Sequence, residues 1–106
     1  MFKKRFLKSG KVKVEFVLPE AIAADAETVF LVGDFNEWDE QATPMTKFKN
    51  GKFKVTVELE PEIEYQFRYL VNGNQWHNDW DADKYVANPF SGDNSVIETV
   101  SNGTNA

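Results

Sequence analysis

"GKFKVTVELE", residues 51–60, decides the fold. Phe53, Val55, Val57 and Leu59 alternate with Lys52, Lys54, Thr56 and Glu58, so an extended chain puts the apolar set on one face and the polar set on the other. A helix would scatter the same residues around its axis. Upstream, "KVKVEFVL" (11–18) repeats the pattern with Val12, Val14, Phe16 and Leu18. Downstream, "EYQFRYLVNG" (64–73) does so with Tyr65, Phe67, Tyr69 and Val71. "ETVFLVGDF" (27–35) is nearly continuously apolar, as a strand covered on both faces would be, and "NSVIETV" (94–100) reads as a closing strand. Asn50-Gly51 and Asn72-Gly73 are hairpin dipeptides, since both residue types tolerate the positive φ of a type I′ turn. "PEAIAADAE" (19–27) is a loop or a short helical turn. Five to seven short strands at this spacing predict an all-β, immunoglobulin-like antiparallel β-sandwich over residues 11–100. A flexible basic leader is expected at 1–10 and a frayed tail at 101–106.

Bulk properties narrow the function. With 42% hydrophobic residues, nine of them Phe, the 106-residue chain can build one core. Cysteine is absent, which excludes disulfides, thiolate zinc sites and cysteine nucleophiles and suits a reducing cytoplasm. No apolar run approaches the roughly 20 residues that span a bilayer, so no membrane association is expected. The first 13 residues hold six of the 12 bases and no acid, leaving a net charge of −11 on the rest. So acidic a body repels nucleic acid, and the basic arm reads as a solvated leader and a lysine-flanked edge strand.

Catalysis finds no residues to carry it. His77 is the one histidine, no serine sits in a nucleophile elbow, and a chance carboxylate pair means little among 17 acids. Asp79, Asp81 and Asp83 alternate as in a calcium loop, but the sixth and twelfth positions are Lys84 and Phe90 where glycine and an acid are required. No metal and no cofactor is expected, and the aspartates read as a solvated, turn-capping loop.

The aromatic residues outside the strands are more telling. Trp38 falls in the turn-rich "GDFNEWDEQATPM" (33–45), and Trp76 and Trp80 in "NGNQWHNDW" (72–80). None occupies an inward strand position, whereas an indole beside amides and a guanidinium suits a sugar: the ring takes the axial C–H face and the polar groups take the hydroxyls. Arg68, facing outward on its strand, supplies such a donor. Spacing alone leaves Trp38 as platform or loop plug, whereas Trp80 reads as a plug of the 77–90 loop.

"VFLVGDFNEWDEQATPM" (29–45), "GKFKVTVELEPEIEYQFRYLVNGNQWHND" (51–79) and "NPFSGDNSVIETV" (88–100) together resemble the family 48 carbohydrate-binding modules. The shared features are Gly-x-Phe-Asn-x-Trp, then the strand of Tyr65, Phe67, Arg68 and Tyr69, then the Asn72-Gly73 turn into Trp76. The resemblance implies an immunoglobulin-like sandwich that binds α-1,4-glucan, glycogen- or starch-like, without catalysis. By position, Trp38 and Trp76 match the stacking tryptophans, Arg68 a lysine that bonds hydroxyls, Phe90 a leucine that slots into the glucan helix, and Asn94 a hydroxyl-bonding asparagine. Gly92 falls where a threonine helps, and Trp80 has no counterpart. A stand-alone cytoplasmic monomer is expected, because a catalytic barrel alone takes about 250 residues. The alternative is a protein-docking or regulatory domain for a glucan-processing enzyme or kinase in trans, without sugar binding.

Overall fold

The apolar faces predicted for 11–18 and 51–60 lie side by side on paired strands and close over a second sheet. The computed structural model describes residues 2–18, 20–24, 26–88 and 92–100. One sheet consists of β1 (Phe2–Phe6), β2 (Val12–Leu18), β4 (Thr46–Lys47) and β5 (Phe53–Leu59), in the order β1-β2-β5-β4. The other contains β3 (Val29–Gly33), β6 (Glu64–Val71), β8 (Lys84–Ala87) and β9 (Asp93–Glu98), in the order β3-β6-β9-β8, with β7 (Gln75–His77) added to β6. Among the described residues the strand pairings are all antiparallel, and one four-residue helical turn, α1 (Glu20–Ala23), lies between β2 and β3. The protein is an all-β, immunoglobulin-like sandwich.

Registers explain the core. Phe16 opposes Val55 and Val14 opposes Val57, so the two alternating patterns reinforce one face. From the other sheet Leu31, Phe67, Tyr69, Val71 and Ile97 enter the same buried cluster. Phe16 and Phe67 meet edge-on with ring centroids 5.2 Å apart, and Phe67 meets Tyr69 at 5.7 Å. Each such ring contributes about 1.5–3 kcal/mol by burial alone.

Two turns behave differently although their sequences look alike. Asn72 and Gly73 both have positive φ (54° and 77°) with Asn74 N–H bonded to the Val71 carbonyl at 3.2 Å, as a type I′ turn requires, and Asn74 completes the connection to β7, where Gln75 opposes Val71. Asn50-Gly51 is a correction to that expectation: of the pair only Gly51 has positive φ, 85°, and Phe48 and Lys52 close a three-residue loop through Phe48 N–H and the Lys52 carbonyl at 2.8 Å. The Asn50 side chain accepts the Lys52 N–H at 3.0 Å instead of entering the left-handed region.

Within the basic arm, Phe2–Phe6 form an edge strand. Residues 2–6 pair along β2, from Phe2 opposite Phe16 to Phe6 opposite Val12, and Phe2 packs on Phe16 at 5.8 Å. Lys4 crosses to the other sheet, donating to Asp83 at 2.6 Å and to the Glu98 carbonyl at 2.9 Å. The tail predicted at 101–106 lies outside the described residues. Among the described residues no helix is long and apolar enough to cross a membrane.

Candidate functional site

β6 organises the candidate site because its side chains alternate between core and surface. Phe67, Tyr69 and Val71 enter the core, so Gln66, Arg68 and Leu70 belong to the sheet's outer face. Pairing extends that face sideways: Arg68 opposes Val32, Leu70 opposes Phe30 and also Trp76 on β7, Gln66 opposes Val96, and Asn94 opposes Val86. Trp76, Arg68 and Asn94, identified separately in the sequence, thus share one surface. Val32, Leu70 and Val96 are buried there and give it an apolar floor. Trp76 stands on that floor 40% exposed. One strand over and two residues along places the Trp76 and Arg68 Cα atoms about 8 Å apart.

The turn that follows β3 explains why an indole sits at residue 38. Gly33 lies so close to β6 that a Cβ would come within 2.5 Å of the Gln66 carbonyl oxygen and 2.7 Å of the Phe67 Cβ, so only glycine fits. Asp34–Asn36 then form a 3₁₀ turn that delivers Glu37 and Trp38 in the left-handed region, φ 60° and 57°. Asn36 pins it: its Oδ1 accepts the Gly33 N–H at 3.0 Å, and its Nδ2 donates to the Leu31 carbonyl and the Thr43 hydroxyl. Phe35 packs inward on Phe16 and Tyr65. Asp34 takes the indole N–H of Trp38 on one oxygen at 2.8 Å and the Gln66 N–H on the other at 2.7 Å. Trp38 is half-buried and tied to β6 at Gln66, two residues before Arg68.

Arg68 and Gly92 form a unit. The guanidinium donates from Nε and Nη2 to the Asp93 carbonyl, at 3.0 and 2.6 Å, and Asn78 Nδ2 reaches the same oxygen at 2.8 Å. Gly92 has φ 66°, and a Cβ on it would lie 3.3 Å from Arg68 Nη2. Arginine where the resembled family has lysine and glycine where it has threonine are therefore linked: the longer, forked side chain fills the room a residue-92 side chain would need. Asn94 is buried, 6% exposed, donating to Gln66 Oε1 at 2.9 Å and accepting from Asn88 at 3.1 Å. Gln66, Asn88, Asn78 and Asp34 are site neighbours that the sequence reading missed. Gln66 had a signal, two residues before Arg68 on the same strand parity; the other three depend on long-range contacts. Phe90 lies outside the described residues.

At the far end of this face Lys84 bonds Glu64 at 2.7 Å and lies 3.6 Å from Glu98. The hydrogen bond between them lowers the Glu64 carboxyl and raises the Lys84 ammonium from their ordinary values. Charge thus concentrates at the start of β6, and the aromatic, amide-rich region lies toward its end.

The loop after β7 corrects two expectations. Asp79 is buried, not solvated: it accepts the Tyr69 hydroxyl at 2.7 Å and the Asp81 N–H at 2.8 Å, while its own N–H donates to Ser95 Oγ at 2.9 Å. Burial foremost, and then the Asp79 carboxylate, push the Tyr69 phenol well above its ordinary value. With Asp79 and Tyr69 buried under the loop and the Tyr85 hydroxyl donating to the Asp79 carbonyl at 2.6 Å, Trp80 is no plug; it is 60% exposed. Among the described residues no three His, Asp or Glu side chains gather as a metal site requires.

The family described as carbohydrate-binding module 48 (isoamylase N-terminal domain) matches residues 12–91. Over 71 residues the chain is 38% identical to the 1,4-alpha-glucan branching enzyme GlgB of Aquifex aeolicus (strain VF5), a match covering 65% of this chain and 10% of that enzyme. The chain therefore spans about a tenth of the length of this curated relative.

Proposed function

Because the chain belongs to the carbohydrate-binding module 48 family, we propose that it binds α-1,4-linked glucan, glycogen- or starch-like, on the outer face of its five-stranded sheet and catalyses no reaction. The observation that carries this reading is the exposed Trp76 ring on the same sheet face as Arg68 and Asn94. In this reading Trp76 and Trp38 stack on the apolar faces of successive sugar rings. Arg68 lies on β6 between Gln66, to which the Trp38 turn is tied, and Leu70, which faces Trp76. It orients hydroxyls from there, with Asn94 fixing Gln66 and Asn88 beneath the same chain. For Phe90, outside the described residues, the family resemblance alone implies a contact with the glucan. A cysteine-free chain acting on stored glucan fits the reducing cytoplasm.

If each stacked ring contributes roughly 1–3 kcal/mol, by analogy with base stacking, two rings and a few hydrogen bonds correspond to a Kd in the micromolar to millimolar range. Isothermal calorimetry with maltoheptaose tests this. Trp76→Ala should weaken binding at least tenfold and Trp38→Ala by a similar factor; unchanged affinity in both variants removes the stacking platform. The similarity to a stretch of a glucan branching enzyme motivates a second reading, in which the same rings dock the domain onto a glucan-processing enzyme. Capture of such an enzyme that excess maltodextrin does not compete away would favour docking.

A further inference from the structure

We propose a second sugar-binding position on the reverse side of β7, centred on Trp80, independent of the Trp76 face and resting on the reading of the domain as a glucan binder. β7 is a three-residue ribbon whose alternation separates its side chains. Trp76 opposes Leu70 on the outer face, whereas Gln75 and His77 oppose Val71 and Tyr69 and lie on the inward parity, at the open edge of the sandwich. There a cleft of ≈ 400 Å³ opens, lined by Ile22, Val71, Asn72, Gln75, His77 and Trp80 together with alanines that include Ala26. That size lies within the range of small-molecule clefts, about 300–1,000 Å³.

The lining selects the ligand class. Its floor is apolar, since Ala26 and Val71 belong to the buried core. In a chain with 27% charged residues, no Asp, Glu, Lys or Arg is among the described residues that line it. The described lining thus offers no carboxylate, ammonium or guanidinium to an ionic ligand. Trp80 presents most of its ring to solvent, and beside it the Gln75 amide and the His77 imidazole have no hydrogen-bond partner among the described residues. One exposed ring, an apolar floor and amide and imidazole hydrogen-bonding groups match a neutral polyhydroxylated ring, the pyranose of the same glucan. Because Trp76 and Trp80 serve opposite faces of β7, a short oligosaccharide cannot stack on both. The domain then holds two glucan segments at once and can bridge neighbouring branches.

The three indole N–H resonances of the intact protein, followed by ¹H–¹⁵N NMR while maltotriose is added, separate the outcomes. The expected result is a saturable shift of the Trp80 signal, with its own Kd, that differs from the Trp76 curve and persists in Trp76→Ala, and that weakens at least threefold in His77→Ala. A Trp76 response with a silent Trp80 overturns the second position and leaves the proposed function standing. Identical curves for both indoles in the wild type, or loss of the Trp80 shift in Trp76→Ala, overturn its independence. Silence of all three overturns the glucan reading and the second position with it. The wild-type curves alone decide between one site and two should a variant fail to fold.

Discussion

Asp34 holds two donors on its two oxygens, the Trp38 indole and the Gln66 backbone, and so couples a surface ring to a central strand. Asp34→Ala releases both and should lower stability by about 1–3 kcal/mol, measured by urea denaturation. It should also broaden the Trp38 indole NMR signal, a change that a purely local loss at β6 would not cause. Arg68 and Gly92 are coupled through the 3.3 Å approach of the guanidinium to the missing Cβ. Gly92→Ala therefore has two penalties, a positive φ of 66° and a displaced arginine. Shortening the arginine should relieve the second. A double-mutant cycle of Arg68→Lys and Gly92→Ala is expected to show a coupling energy of about 0.5 kcal/mol or more; additivity would mean the two positions are unrelated.

At the scale of elements, strands with a clean period of two were legible, and those defined by tertiary pairing were not. Phe53–Leu59 and Val12–Leu18 carry their own signal and appear almost to the residue. β7 is three residues long and β4 two, too short for any periodicity, and both exist because a hairpin turn folds them back on a longer strand. β1 was obscured by charge: Lys3, Lys4 and Arg5 look like a solvated leader until Lys4 is seen reaching Asp83 and the Glu98 carbonyl. The site was legible in the same uneven way. Strand parity placed Arg68 outward, but the burial of Asn94 under Gln66 and Asn88 depends on contacts between strands. Asn72 shows how much one turn residue ties together: its side-chain oxygen accepts the Glu27 N–H at 2.7 Å and the Thr28 N–H at 3.2 Å while its backbone adopts φ 54°. Asn72→Ala loses both bonds and keeps an unfavourable backbone, so a loss of about 1–3 kcal/mol is expected by thermal or urea unfolding.

The whole molecule is acidic, with a net charge of −5, yet its proposed ligand is neutral. Glucan affinity should therefore change less than about twofold between 50 and 500 mM salt, whereas binding to a polyanion would collapse over that range. Alkali acts on stability through Tyr69. Burial raises its phenol above the ordinary value near 10, so the folded state holds this proton more tightly than the unfolded chain. That contribution is intact below pH 10 and is lost as the pH rises through the folded-state value. Tyr69→Phe should destabilise at neutral pH, because buried Asp79 loses one of its donors, and should flatten the alkaline limb of the stability curve measured by denaturant titration. Finally, Val32, Leu70 and Val96, buried beneath the outer face, are part of the same sheet that walls the core. Such a surface cannot melt on one side alone. Saturating glucan at 100 times its Kd should then raise the unfolding free energy by about 2.7 kcal/mol, and heating should release the sugar and dismantle the sandwich in a single transition.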